Sequence, residues 1–363
     1  MQNKENKKQP LFIWDEWITG ESCLFTVKNP FEHARAKQIL GKMRTKFVEE
    51  LKKEGFEIIT DNKNIPEDAI YFIMDENAVC DEKQDACTWK KEFDKKIFKA
   101  GGPKLNYPMS LSMEEFFEKP FFPAVLKNET TNGGKDKILI ETPEQLEKIK
   151  EFYYEHINNL MYKTIFSLTI FQQYINTPTN YQTYMRVLMG ASGDVLGACL
   201  KYSLLNYDNQ RELGVLEKHF CDTDSKYFLN SKSMFGYYSG GGNIYFSQLR
   251  FSSEKSEILK AHNIDCQRPQ MPDEVLEVSK NIAQDCNSIL GIICGIDYIY
   301  NAEDGKWYYL ENQAFPAIDE WANDKNIKLP KQKNVDTYLK YLEIELDARK
   351  EALTLVMNKK TKN

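Results

Sequence analysis

Asp297 and Glu311 lie within the stretch GIICGIDYIYNAEDGKWYYLENQAFPAIDEW, Gly291 to Trp321, inside runs of aliphatic and aromatic residues that read as strands. A carboxylate is costly in a buried sheet unless a partner neutralises it. Residues Asn301 to Lys306 separate the two runs, and a three-residue loop Glu303-Asp304-Gly305 puts glycine in the left-handed position that such a turn needs. Counting outward from that loop pairs Asn301 with Trp307, Ile299 with Tyr309 and Asp297 with Glu311. Side-chain alternation adds Gln313 to the acidic face and turns Asn312 away. Two carboxylates directly opposite each other repel, so this register makes best sense with a cation between them. Oxygen ligands with no histidine or cysteine nearby favour Mg²⁺ or Mn²⁺ over zinc. A two-residue loop, Asp304-Gly305, would instead pair Asp297 with Asn312 and move Glu311 to the opposite face. Each acid could also be matched simply by a nearby lysine or arginine.

Magnesium held by carboxylates usually also meets substrate phosphates, so cations and backbone donors are expected elsewhere. Lys127 closes the apolar run FFPAVLK, and Thr130 to Gly134 could fold main-chain N–H groups over phosphates. Taken alone, TTNGG is more often an ordinary hairpin turn, and Lys127 a snorkelling strand-end lysine. The chain has no G-x-x-x-x-G-K-[ST] phosphate loop. Arg186 and Lys201 stand among apolar neighbours on adjacent expected strands, which favours a shared site over two solvated residues. None of the four histidines has a metal-ligand or triad neighbour in sequence, and no G-x-S-x-G occurs, so nucleophilic hydrolysis is unsupported.

These residues need a scaffold of mixed α/β lobes. LFIWDEWI, a charged amphipathic run from Ala34 to Gly55, FEIIT and AIYFIM read as strand, helix, strand, strand. Asp81 to Lys104 is lysine-rich and reads as helix and linker. FFPAVLKN, ETTNGG and KDKILI read as a hairpin, followed by a helix with Thr142 as N-cap, Pro143 at the first position and Gln145 completing a capping box. TIFQQYI is a further strand, and YQTYMRVLMG with GDVLGACLKYS forms a hairpin across Ala191 to Gly193. FGYYSGGGN is a glycine-rich loop. Asp273 to Leu290 carries Val275, Val278, Ile282, Cys286 and Ile289 at helical spacing, and Val335 to Lys359 is a charged terminal helix. The expected units are an N-terminal lobe at 1–93, a central lobe at 94–178, a C-terminal lobe at 179–345, and a terminal helix and tail at 346–363.

Composition narrows the class. With 363 residues, 42% of them hydrophobic, the chain can bury two or three cores. Its net charge of -6 comes from intermixed signs, which gives no basic stripe for nucleic acid. No run of about 18 apolar residues suggests a membrane span. The polar start MQNKENKKQP lacks the apolar core of a signal peptide, so a cytoplasmic protein is expected. Eight cysteines are scattered without C-x-x-C spacing, Cys80/Cys87 and Cys286/Cys294 being the nearest pairs, and read as reduced thiols.

The order of these parts, from about Asp94 to Pro316, resembles the ATP-grasp superfamily, with the first 90 residues similar to a preceding α/β lobe. DKKIFKAGGPKLNYPMS is similar to the helix carrying that family's first nucleotide lysine, which would be Lys95, with Lys96 and Lys99 as alternatives. FFPAVLKNETTNGGKDKILIETPEQLEKI resembles its lysine strand, glycine loop, strand and helix, which puts Lys127 on the phosphates and Thr131, Gly133 and Gly134 in a closing loop. FQQYI is similar to the hinge between the two clasping lobes, where Gln172, Gln173, Tyr174 and Ile175 would meet adenine. YQTYMRVLMGASGDVLGACLKYS resembles the stretch ending at the catalytic cations, here Arg186 and Lys201. GIDYIY and YYLENQAFP are similar to the metal-ligand strands, which implies Asp297, Glu311 and Gln313 as ligands of Mg²⁺ or Mn²⁺.

Gln313 stands where the family usually has asparagine, with Asn312 as the fallback ligand, and AFPAIDEW lacks the family's common Pro-Gly pair. The resemblance implies ATP as cosubstrate and ligation of a carboxylate, on a small molecule or a peptide, to a nucleophilic acceptor through an acyl phosphate. A kinase on the same scaffold and a nucleotide-binding protein without chemistry are the alternatives. Related ligases are often dimers, which leaves a homodimer open.

Overall fold

The computed structural model describes residues 8–13, 15–18, 30–72, 95–128, 136–179, 181–204, 214–230, 242–248, 250–313 and 316–360. The glycine loop with Thr131, Gly133 and Gly134, most of FGYYSGGGN and the first part of the Asp81–Lys104 segment lie outside them. Among the described residues no helix is long and apolar enough to cross a membrane.

The N-terminal lobe contains β1 (Gln9–Ile13), α1 (Asp15–Ile18), α2 (Pro30–Lys53), β2 (Phe56–Ile59) and β3 (Ile70–Phe72). β1 is central and runs parallel to both β2 and β3, an arrangement that needs a crossover such as α2. Ala36, Leu40, Phe47 and Leu51 of α2 line the core against Phe56 and Phe72, four or seven residues apart as one helix face demands.

The central lobe comprises α3 (95–101), a 3₁₀ turn at Gly102–Lys104, β4 (Ser110–Ser112), α4 (Met113–Glu118), β5 (Ala124–Asn128), β6 (Lys137–Ile140), α5 (Pro143–His156), α6 (Leu160–Ser167) and β7 (Thr169–Gln173). Its antiparallel sheet has the order β4-β7-β5-β6. The expected capping box starts α5: Thr142 Oγ1 accepts from the Gln145 N–H, and Gln145 Oε1 accepts from the Thr142 N–H. At the base of the β5–β6 connection, Asp136 takes a left-handed φ of 51° and its carbonyl accepts from the Asn128 N–H.

The C-terminal lobe holds β8 (Tyr181–Gly190), β9 (Val195–Leu204), α7 (Val215–Phe220), β10 (Gly242–Tyr245), α8 (Ser253–Ala261), α9 (Asp273–Asp285), α10 (Asn287–Leu290), β11 (Ile293–Asn301), β12 (Lys306–Gln313), α11 (Asp319–Asp324) and α12 (Val335–Lys360). Its antiparallel sheet runs β10-β9-β8-β11-β12. One face is apolar: Met185, Val187, Leu200, Ile296 and Tyr298 pack with Val275, Val278 and Ile282 of α9. The single helix expected over Asp273–Leu290 is two, because the chain leaves helical geometry at Cys286, whose N–H closes α9 on the Ile282 carbonyl. α12 crosses the expected 345/346 boundary without a break, and its Leu346, Ala352 and Leu353 complete the core of the N-terminal lobe. Asp136 ties α7 to the central sheet, its carboxylate accepting from the N–H groups of Val215, Leu216 and Glu217.

The β11–β12 hairpin corrects the expected register close to its turn. The connection is residues 302–305, with Gly305 at a φ of 70°, so Asn301 pairs with Lys306, Ile299 with Tyr308 and Tyr298 with Tyr309. The expected pairs Asn301–Trp307 and Ile299–Tyr309 do not form. A bulge then places Leu310 as an extra residue, and beyond it Asp297 pairs with Glu311, as expected, and Gly295 with Gln313. The physical reason is a conflict of faces. Trp307 and Tyr309 point into the apolar core, and unbroken alternation would carry Glu311 there too. The bulge shifts Glu311 and Gln313 to the polar face.

Candidate active site

Strand register sets Tyr245, Cys199, Arg186, Asp297 and Glu311 in one row across all five strands of the large sheet, on the face opposite the α9 core. Arg186 and Asp297 are directly opposite each other and nearly inaccessible. Arg186 Nε donates to Asp297 Oδ1 at 2.7 Å and its terminal nitrogen to Oδ2 at 2.6 Å, the forked geometry that makes such pairs strong. Burial would lower the Arg186 pKa, but the Asp297 charge and hydrogen bonds push it well above its ordinary value.

At the end of the row, Glu311 reaches across to the central sheet. Its Oε2 lies 3.3 Å from Lys127 Nζ and 3.4 Å from Lys137 Nζ. The lysines are themselves a cross-strand pair on β5 and β6, a like-charged arrangement that is unfavourable alone. The Lys137 charge foremost, with Lys127 adding to it, holds the Glu311 carboxyl well below the usual carboxylate range against the cost of its burial. Burial lowers the Lys137 ammonium in turn, with Glu311 opposing it. Glu311 thus offsets the like-charged lysine pair across the gap between the lobes, while Arg186 offsets Asp297 within the large sheet.

Lys201, two residue pairs further along β8 and β9 and on the same face, is held by Glu320 at the start of α11, Nζ to Oε1 at 3.0 Å. The Cys199 thiol donates to the same oxygen at 3.3 Å. Burial pushes that thiol's pKa well up, and the Glu320 charge adds to the effect. α11 reaches the sheet over Gly197: a Cβ there would stand 2.6 Å from the Glu320 carbonyl carbon. Sequence reasoning missed Glu320. Its signal was the one that singled out Asp297, an acid in an apolar run, here PAIDEWA. Lys137 carries no such signal, because KDKILI reads as an ordinary returning strand.

The donor set suits a hard divalent cation. Asp297, Glu311 and Gln313 stand on one face of adjacent strands and carry carboxylate and amide groups of the type such a cation takes, with both Asp297 oxygens bonded to Arg186 and one Glu311 oxygen to the two lysines. Among the described residues no cluster of three His, Cys, Asp or Glu side chains could hold a metal, as follows if the third ligand is an amide. Asn312, the fallback ligand, faces the apolar side, where its amide donates to the Tyr309 hydroxyl.

The remaining expected residues are more dispersed. Gln172 is buried and its amide donates to Ser110 Oγ at 3.2 Å, while the Gln173 N–H donates to the Met109 carbonyl at 2.7 Å. The Tyr174 N–H donates to the Pro123 carbonyl at 3.3 Å, and Ile175 is buried. These residues carry the chain from β7 toward β8, from one sheet to the other, and the Asn176 carbonyl accepts from the Ala302 N–H in the β11–β12 turn. Lys95, Lys96 and Lys99 are exposed on α3, whose Ile97 and Ala100 pack into the core on the apolar side of the large sheet.

No family model matches the sequence, and no curated protein matches it. Among solved structures, the chain is similar to the ATP-grasp ligase PsnB complexed with minimal precursor, Mg and ADP, at 11% identity and a TM-score of 0.38, over 97% of this chain and 78% of that one. It is similar to the L-amino acid ligase from Bacillus licheniformis at 11% identity and a TM-score of 0.34, over 91% of this chain and 72% of that one. D-alanine–D-alanine ligase from Bacillus anthracis, complexed with ATP, is similar at 13% identity and a TM-score of 0.34, over 95% of this chain and 99% of that one.

Proposed function

We propose that the chain is an ATP-dependent ligase that joins a carboxylate, on a peptide or a small molecule, to an amine or another nucleophile with release of ADP and phosphate. The observation that carries this reading is the set of opposed charges between the two sheets, with Lys127 and Lys137 facing Glu311 beside the Arg186–Asp297 pair. Cations and oxygen ligands converge there from two lobes, which is what a triphosphate with its metal requires.

In this reading Lys127 and Lys95 offset the phosphate charge, and Gln172, Gln173, Tyr174 and Ile175 border the adenine. Thr131, Gly133 and Gly134, outside the described residues, would offer main-chain N–H groups to the phosphates. Asp297, Glu311 and Gln313 would hold Mg²⁺ or Mn²⁺, which when bound would supply further charge neutralisation for the phosphates. Arg186 and Lys201 stabilise the transferring group. The substrate carboxylate oxygen bonds to the γ-phosphorus as the bond to the ADP oxygen breaks. The acceptor then attacks the acyl carbon of the resulting acyl phosphate, loses a proton and displaces phosphate. The protein's part is positioning and charge complementarity.

The test incubates the protein with Mg-ATP, pooled amino acids and acidic peptides, and hydroxylamine. An acyl phosphate yields a hydroxamate together with ADP. ADP formation with a stable phosphorylated product would make the chain a kinase, and nucleotide binding with no ADP under any mixture would make it a binding protein.

A further inference from the structure

The two lysines at the base of the β5–β6 connection are equivalent in placement. Lys127 is the penultimate residue of β5, Lys137 the first of β6, and they pair directly. Both side chains are largely buried and both meet the same oxygen of Glu311. A carboxylate oxygen between two ammonium groups has the charge and hydrogen-bonding character of a phosphate oxygen. A phosphate seated on these lysines would therefore compete with Glu311 for them.

Resting on the nucleotide-binding reading above, we propose that Lys137 is a second phosphate-binding lysine alongside Lys127, and that Glu311 occupies both until a divalent cation draws its carboxylate away. Glu311 then has two opposed effects on nucleotide affinity. Without metal it withholds the lysines and repels the incoming phosphates. With metal its charge is spent on the cation, and both lysines turn to phosphate. Metal and nucleotide thus bind with positive coupling that originates in one carboxylate, and the coupling is reciprocal.

Calorimetric titration of ADP into the full chain, in EDTA and in Mg²⁺, tests this. Wild type is expected to bind ADP much more tightly with Mg²⁺. Glu311→Gln should bind ADP in EDTA about tenfold more tightly than wild type and lose most of the Mg²⁺ response, a charged hydrogen bond being the interaction released. Lys137→Met should weaken ADP by about tenfold in Mg²⁺, with Lys137→Arg restoring part of the loss.

Tripolyphosphate in place of ADP should show the same rank order, which assigns the effect to phosphate and not to adenine. Thermal melts confirm that each variant is folded, and Lys137→Gln is the second variant should Lys137→Met fail to fold. Wild type binding neither ADP nor Mg-ADP would overturn the nucleotide reading itself. Wild type binding normally, with Glu311→Gln no tighter in EDTA or with Lys137→Met unchanged in Mg²⁺, would overturn this inference alone.

Discussion

Arg186 on β8 and Asp297 on β11 are locked in a buried, two-bonded ion pair at the centre of the large sheet. Removing one partner strands the other. Asp297→Ala is expected to cost about 3–5 kcal/mol of stability, because an uncompensated guanidinium is left buried. Replacing both residues with apolar side chains of similar volume should recover most of that loss. Urea denaturation of the two variants checks this, and equal loss in both would mean that packing, not charge, dominates. For metal-binding work Asp297→Asn is the safer substitution.

Gly197 provides the clearance that lets α11 bring Glu320 to Lys201. Gly197→Ala should destabilise the fold by about 1–3 kcal/mol, since the new methyl meets backbone that cannot rotate away. Gly190→Ala on the neighbouring strand is the control: its Cβ would find ordinary contacts, 3.7 Å from the Ala352 Cβ. Comparable urea midpoints for the two variants would show that α11 shifts without cost.

His262 caps α8 from a fully buried position, Nδ1 donating to the Ile258 carbonyl at 2.7 Å and Nε2 accepting from the Thr183 hydroxyl. Burial lowers its pKa from 6.5, and the Ile258 carbonyl only partly opposes that. The unfolded chain therefore takes up a proton that the native state refuses. This contribution to stability is complete above about pH 6.5 and is lost as pH falls from there through the lowered native value. Urea midpoints from pH 8 to pH 5 should fall more steeply for wild type than for His262→Gln. Parallel slopes would assign the acid sensitivity to other groups, His219 among them, whose pKa burial also lowers.

Local chemistry made several features readable in advance. Thr142, Pro143 and Gln145 specify the start of α5 within four residues. Asp297 and Glu311 declared themselves as acids in apolar strands, and their pairing holds. It holds through a bulge, however, and not through the expected turn. That bulge exists because Trp307 and Tyr309 must enter a core built from α9 and β8, which local alternation cannot register.

Local sequence was enough for the long strands, the longer helices, the cap of α5 and most of the residues that are chemically out of place, because those depend on neighbours a few positions away. The partners came from long-range packing: Arg186 for Asp297 across 111 positions, Glu320 for Lys201, and Lys127 with Lys137 for Glu311 from a different sheet. A buried charge states in the sequence that it needs a counter-charge. Which counter-charge it receives depends on how separately formed sheets come together, and no local pattern encodes that.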